Sequence, residues 1–303
     1  MDSLSIWPAK RRLGPTELEV SALAWGMWRF AGGDIAGARA RIEAALDAGV
    51  TLFDTADVYG PDNSEPFGAA EALLGKVLGE SGSLRGRLLI ATKGGIVPGT
   101  PYDSSAAYLA AACEASLRRL RIEQIDLYQI HRPDLLTHPA EVAGVLERLR
   151  DQGKVREVGV SNHSPAQCAA LQTWVPFPLA SHQSELSPLA IGPLQDGVMD
   201  QVMAHRMSFL AWSPLAGGVL GGSGEDPRSR AVIAELDRLA EREGQPRTAV
   251  AYAWIMAHPA RPIPIVGSQS LQRIREAAAA FQVRLDRADW YRVLAAARGA
   301  PLP

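Results

Sequence analysis

The sequence predicts an α/β protein, a closed (β/α)8 TIM barrel with an N-terminal β-hairpin and an extra C-terminal helix. Three observations lead there. Short apolar runs of strand length alternate with amphipathic helical stretches from end to end. The runs are apolar throughout, the mark of parallel strands buried on both faces. Eight such pairs span about 250 residues, the size of a complete barrel. A doubly wound open sheet has the same alternation, but the strand count favours the barrel. No composition shift, Ser/Gly linker or internal repeat divides the chain, so residues 1–303 are expected to form one domain.

Strands are expected over 22–27, 51–54, 88–93, 125–131, 155–161, 179–183, 208–213 and 262–266. Helices are expected between them over 35–48, 66–78, 105–120, 140–152, 165–173, 197–205 and 229–243, with 248–257 and 271–280 flanking the last strand. Gly49 and the Asp151-Gln152-Gly153 run supply the positive φ that helix C-termini favour. Ser164-Pro165 reads as an N-cap followed by proline at the first helical position. Thr248, two residues after Pro246, reads as another N-cap. Residues 11–21 precede the first barrel strand and predict a hairpin across the barrel floor, and 286–298 an added terminal helix.

Composition excludes several classes. With 31 basic and 33 acidic residues the formal charge is −2, which argues against a nucleic-acid or lipid surface. There is no apolar run of membrane-spanning length and no secretory leader in MDSLSIWPAKRRLG, so a soluble, cytoplasmic protein is expected. Cys113 and Cys168 form no CxxC and suggest neither a zinc framework nor a disulfide scaffold. Only four lysines (Lys10, Lys76, Lys93, Lys154) stand against 27 arginines. Lys93, at the end of an apolar strand, is therefore conspicuous.

In a (β/α)8 barrel the active site lies at the C-terminal ends of the strands. Strand two ends at Asp54 and leads to Tyr59, strand three ends at Lys93, and strand four at His131. Each alone has an ordinary structural explanation: a cap, loop packing, a rim lysine, a hydrogen-bonded core histidine. Together, four titratable groups from three successive strands can converge on one point. A free tyrosine has a pKa of about 10, too high for efficient proton transfer near neutrality. A neighbouring ammonium is expected to pull it down, a carboxylate to keep that ammonium charged, and a neutral histidine to orient a carbonyl oxygen. Such a set suits protonation of a carbonyl oxygen as hydride reaches its carbon. The stretch Gly267-Ser268-Gln269-Ser270 follows the last strand and opens a helix, where backbone N–H groups attract phosphate; Arg273 could pair with a 2′-phosphate.

Longer segments carry a resemblance. They include Arg11-Arg12-Leu13-Gly14, the run from Gly49 to Gly60 containing Asp54-Thr55-Ala56-Asp57-Val58-Tyr59-Gly60, Ala91-Thr92-Lys93, Asp126 to Pro133, Gly153 to Asn162, Gln183 to Pro188 and Ala211 to Gly218. With these the chain resembles the aldo-keto reductase superfamily over nearly its whole length. Its tail (Ile265-Val266-Gly267-Ser268, Leu285-Asp286, Trp290-Tyr291) is similar to that of the bacterial YdhF-like group. The resemblance implies a nicotinamide-dependent carbonyl reductase with Tyr59 as general acid, Lys93 and Asp54 tuning it, and His131 orienting substrate. It implies that Ser161, Asn162 and Gln183 bind the nicotinamide carboxamide and that Trp212 stacks on the ring. Gly26, Met27 and Trp28 would line the cofactor, with Trp28 also facing substrate. Ser213, Leu215, Gly267, Ser268, Gln272 and Arg273 complete the implied cofactor contacts. No lysine lies near Gly267, His182 stands where relatives carry asparagine, and Ala277 replaces a common polar contact. NADPH is the expected cofactor, with NADH as the alternative.

Other classes stay open on the residues alone. Lys93 could serve a Schiff-base lyase, although an Asp54 partner would keep it protonated. A non-catalytic nicotinamide-binding sensor or subunit would use the same barrel. Gly221-Gly222-Ser223-Gly224 lacks a P-loop ending and is expected to form a flexible loop over the cofactor. A short tail after the last helix predicts an open site of broad selectivity for small-molecule aldehydes or ketones. Substrate identity and oligomeric state are not legible.

Overall fold

The computed structural model describes Leu4 and residues 8–302. Met1–Ser3, Ser5–Trp7 and Pro303, on which the leader expectation and both ends of the 1–303 boundary rest, lie outside the described residues. The eight barrel strands are β3 (Ala24–Gly26), β4 (Leu52–Asp54), β5 (Leu89–Gly94), β6 (Ile125–Ile130), β7 (Val155–Ser161), β8 (Ser181–Glu185), β9 (Ser208–Trp212) and β10 (Ile263–Val266). All neighbours are parallel, and β10 returns to β3 to close the barrel. Ahead of them, β1 (Lys10–Arg12) and β2 (Glu19–Ser21) pair antiparallel. The (β/α)8 expectation is met.

The helices are α1 (Ile35–Asp47), α2 (Ala69–Glu80), α3 (Gly82–Arg85), α4 (Ala106–Leu120), α5 (Pro139–Asp151), α6 (Pro165–Gln172), α7 (Val198–Ala204), α8 (Pro227–Glu243), α9 (Arg247–Met256), α10 (Leu271–Glu276) and α11 (Arg287–Arg298). The Ser164 cap is complete: its side chain accepts from Gln167 N–H, and the Gln167 side chain accepts from Ser164 N–H. No helix among the described residues is long and apolar enough to cross a membrane.

One core lies between the strands and the helix ring; a second fills the barrel interior. The interior core joins Leu13, Leu18 and Val20 of the hairpin to Ala24, Leu52, Ala91, Leu127, Ala180, Leu210, Ile263 and Ile265. The hairpin thus closes the barrel floor, as its position predicted. Gly14 has a left-handed φ of 57°. A Cβ there would collide with the Ala180 carbonyl, while its N–H donates to Ser208 Oγ at 2.8 Å.

Several boundaries move for physical reasons. The sixth strand is Ser181–Glu185, not 179–183; it is polar along its length because its inward side chains find partners inside the barrel. Ser181 Oγ reaches Gln129 Oε1 at 3.3 Å, and Gln183 Nε2 reaches Asp54 Oδ1 at 2.8 Å. Thr248 is not an N-cap: Pro246 takes that position and α9 starts at Arg247. Asp226 caps α8, which begins at Pro227, two residues before the expected start. The predicted 271–280 helix is α-helical only to Glu276 and tightens to a 3₁₀ turn over Ala277–Gln282.

Candidate active site

Parallel register brings the polar strand ends to one level. Asp54 pairs with Ala91, Lys93 with Gln129, Gln129 with Gly159, and Ser161 with Gln183. Because side chains alternate faces, the residues above the apolar interior layer point into the barrel mouth. The expected set meets there. The Lys93 ammonium, fully buried, donates to Asp54 Oδ2 at 2.7 Å, to the Thr55 carbonyl at 2.8 Å and to Tyr59 Oη at 3.3 Å. Its three donors are saturated. Gln183 Nε2 donates to the other Asp54 oxygen, so that carboxylate is held from both sides. The His131 ring lies edge-on to Tyr59, with centroids 5.9 Å apart.

The electrostatics refine one expectation. Burial alone disfavours the Lys93 ammonium, but the Asp54 carboxylate and Tyr59 outweigh it, and the lysine is raised above its ordinary value. Tyr59 is also raised: desolvation of its hydroxyl exceeds the downward pull of Lys93, and Asp54 adds to the rise. The expected net lowering is therefore not found. Lys93 offsets the burial of the phenol in part and keeps a hydrogen bond on its oxygen. Burial, with Lys93 and Arg132 nearby, holds His131 well below its ordinary value; it is neutral at physiological pH.

Ser161, Asn162, Gln183 and Trp212 form a linked row. Asn162 has a left-handed φ of 58°. Its Nδ2 donates to Ser161 Oγ at 2.8 Å and to the His131 carbonyl at 3.3 Å, and its Oδ1 accepts from Trp212 Nε1 at 3.0 Å. Both ends of Asn162 are thus engaged within the protein. Ser161 keeps its own O–H to donate, and Gln183, with Nε2 on Asp54, keeps Oε1 to accept. One donor beside one acceptor at the mouth matches a primary carboxamide. Trp212, partly exposed, caps the interior core.

On the opposite side, Gly26 closes β3 beside Ile265, against which a Cβ would press at 2.8 Å. Met27 is fully buried in the outer core, so only its backbone can line a ligand. Trp28 is 40% exposed at the rim. Its indole N–H donates to Asp62 Oδ2 at 2.9 Å, and its carbonyl accepts from Asn63 Nδ2 at 2.6 Å. This clasp follows Tyr59 in sequence and was missed by sequence reasoning; the nearness of Pro61-Asp62-Asn63 to the tyrosine was the available signal. Trp25 Nε1 donates to the Ser268 carbonyl at 2.9 Å, tying β3 to the segment after β10. Gly267 is exposed, with open space where a Cβ would stand. Gln272 donates to Glu276 at 2.7 Å, while exposed Arg273 makes no ion pair among the described residues. Ser213 has a φ of 50°, and Leu215 precedes a 3₁₀ segment, Ala216–Gly221. Leu220 is buried, and in the 221–224 run that follows, Arg247 Nη1 donates to the Gly222 carbonyl at 2.6 Å.

A closed parallel barrel with a buried Lys–Asp–Tyr–His cluster at its mouth defines a class of barrel oxidoreductases. The family model described as "Aldo/keto reductase family" matches residues 22–298, and the chain belongs to that family. It is 51% identical over 305 residues to the 6-dehydroglucose reductase of Novosphingobium aromaticivorans, with 100% of both chains covered. It is 38% identical to the 6-dehydroglucose reductase of Agrobacterium fabrum, covering 93% of this chain and 96% of that one. Oxidoreductase YdhF of Escherichia coli K12 is 36% identical, with 96% and 98% covered, in line with the YdhF-like tail. Among solved structures, the thermostable aldo-keto reductase Tm1743 superposes with a TM-score of 0.82 over 95% of this chain and 99% of that one; at 22% identity this supports the fold.

Proposed function

We propose that this protein is an NADPH-dependent carbonyl reductase, with NADH as the alternative cofactor, that reduces an aldehyde of a sugar or similar polyhydroxylated compound to the alcohol. The observation that carries the reading is the Lys93 ammonium bonded at once to Asp54, the Thr55 carbonyl and the Tyr59 hydroxyl. The sugar assignment rests on two relatives named 6-dehydroglucose reductase, one of them 51% identical.

When bound, the reduced nicotinamide supplies hydride to the carbonyl carbon. Tyr59 gives its proton to the carbonyl oxygen, and the resulting phenolate is met by the Lys93 ammonium already bonded to it. Asp54 keeps that lysine charged, which also makes it a poor Schiff-base nucleophile. Neutral His131, beside the phenol, orients the carbonyl. Ser161 and Gln183 would take the carboxamide, with Asn162 holding Ser161 and Trp212 in place. The backbone of Gly26 and Met27, with Ser213, Leu215, Gly267 and Ser268, would line the cofactor, Arg273 would meet a 2′-phosphate, and Trp28 would face the substrate. Gln272 serves only if it leaves Glu276. The tied segment from Ala216 to Gly222 would cover the nucleotide.

The test is the initial rate of reduced-nicotinamide oxidation with 6-dehydroglucose and with simple apolar aldehydes, using NADPH and NADH in turn. The reading expects turnover, faster with NADPH and with the sugar aldehyde. No turnover with any aldehyde and either cofactor would leave only a binding role.

A further inference from the structure

We infer that Asp57 is a positioning residue for Tyr59, a protonated carboxylic acid that pins the turn between β4 and α2 to the outer face of the barrel. The inference rests on the reductase reading of the site.

The backbone of this turn continues the sheet past the end of β4. Thr55 N–H donates to the Ala91 carbonyl at 2.8 Å, and Asp57 N–H to the carbonyl of Lys93 itself at 3.0 Å. Alternation along this extension sends Asp54 into the barrel mouth and Asp57 outward, under the helices, where it is 1% exposed. Two residues later the chain delivers Tyr59 to the site. Whatever fixes Asp57 therefore fixes the aim of the phenol.

Its only side-chain partner among the described residues is Tyr108 of α4. The Tyr108 hydroxyl lies 3.4 Å from Asp57 Oδ2 and 3.4 Å from the Ile96 carbonyl oxygen. That hydroxyl has one proton, and a carbonyl has none to give. As a carboxylate, Asp57 would share that single proton with Ile96 over two long contacts. A protonated Asp57 can instead donate to Tyr108 and leave the Tyr108 proton to Ile96, which satisfies all three groups. Its buried Oδ1 has no hydrogen-bond partner among the described residues, a setting that disfavours a carboxylate.

The charges facing it agree. From α2, Glu71 adds a like charge; it is bonded to Thr92 Oγ1 at 2.6 Å and to Arg119 Nε at 2.7 Å. From α4 come Arg119, which opposes the rise, Tyr108, and Cys113 beside Tyr128. From β6 comes the buried Tyr128 hydroxyl, which has no hydrogen-bond partner among the described residues. From β5 comes the Lys93 backbone. Burial, then Glu71, push the Asp57 carboxyl up to about 8 against the pull of Arg119, the Val58 N–H and Tyr108. The same layer grips the far end of the loop: Gly68, at φ 79°, leaves room for the Arg119 guanidinium that a Cβ would strike, and Ala70 N–H donates to the Tyr59 carbonyl at 3.2 Å.

The experiment compares wild type, Asp57→Asn and Asp57→Leu. Asparagine can still donate to Tyr108 and cannot ionise. Wild type is expected to lose kcat above about pH 8, and Asp57→Asn to keep kcat near wild type at neutral pH without that fall. Asp57→Leu is expected to lower kcat about tenfold to a hundredfold with little change in KM, the size of a small misplacement of a reacting group. A second readout needs no turnover. Between about pH 5 and about pH 8 the unfolded wild type has lost a proton that the folded protein keeps, so its stability falls as pH rises. The Tm of Asp57→Asn minus that of wild type should therefore widen across that range. The inference is overturned if Asp57→Asn is as slow as Asp57→Leu, if wild type and Asp57→Asn share one pH profile, or if the Tm gap is constant. Should Asp57→Leu fail to fold, the other two proteins decide. If wild type turns over no aldehyde, the reductase reading falls, and a constant Tm gap would separately overturn the protonated anchor.

Discussion

The two ends of this barrel are built from the same strands and differ in what they bury. At the floor, Leu13, Leu18 and Val20 seal an apolar interior. At the mouth, one or two inward positions further along the same strands, the interior holds Asp54, Lys93 and Gln183. The floor is stabilised chiefly by burial, roughly 25 cal/mol for each Å² of apolar surface removed from water. The mouth buries a charge pair whose desolvation costs about as much as its attraction returns. Such a pair adds little to net stability, and its placement answers to chemistry.

This difference can be tested by damaging each end. Lys93→Met removes one partner of a buried pair and leaves the Asp54 carboxylate uncompensated. It should cost about 3–5 kcal/mol of stability and abolish reduction; chemical denaturation with initial rates measures both. A Lys93→Met protein as stable as wild type would show that the pair is not held in a low-dielectric site. At the floor, Leu13→Ala should cost about 2–5 kcal/mol while kcat, measured well below the melting transition, stays within about twofold of wild type. A large loss of kcat there would mean that the two ends are coupled.

A smaller effect separates the ends by pH. His131 at the mouth and His163 and His182 behind it are buried and held below their ordinary value by burial, the last two to about 4. In the unfolded chain such groups take up protons near about pH 6.5. Below that pH the unfolded state binds more protons, so stability is full above about 6.5 and is lost as the pH falls toward about 4. Tm should drop over that window, and replacing His182, whose ring nitrogens have no hydrogen-bond partner among the described residues and which stacks on Phe209, by phenylalanine should make the drop shallower. Leu13 packs only against apolar residues of the interior core, so Leu13→Ala should leave the slope unchanged.

Most of the fold was legible because barrel strands buried on both faces have an apolar signature that helices with charged outer faces do not share. It failed where burial is polar. The Ser-His-Gln-Ser-Glu strand lacks the apolar run, and its pairing depends on partners from Gln129 and Asp54 that are distant in sequence. The four residues of the site were readable because each stands at or just past a strand end, and a barrel makes that position meaningful. The net rise of the Tyr59 phenol was not readable, since a sequence gives a neighbouring cation but not the depth of burial that outweighs it. Asp57 was hidden for the same reason: between Ala56 and Val58 it reads as a loop carboxylate, and only the continued pairing with β5 turns it under α4. The clasp of Asp62 and Asn63 on Trp28 likewise joins segments far apart in sequence, and only the nearness of Asp62 and Asn63 to Tyr59 hinted at it.

The central claim is that the Tyr59 hydroxyl delivers the proton while the rest of the site only binds and aims. The direct measurement is Tyr59→Phe, with nucleotide affinity read by quenching of tryptophan fluorescence and turnover read by loss of reduced nicotinamide. The account predicts affinity close to wild type and a kcat lower by about a hundredfold to ten-thousandfold, the range for loss of a positioned general acid. A phenylalanine variant that reduces aldehydes at the wild-type rate would contradict it.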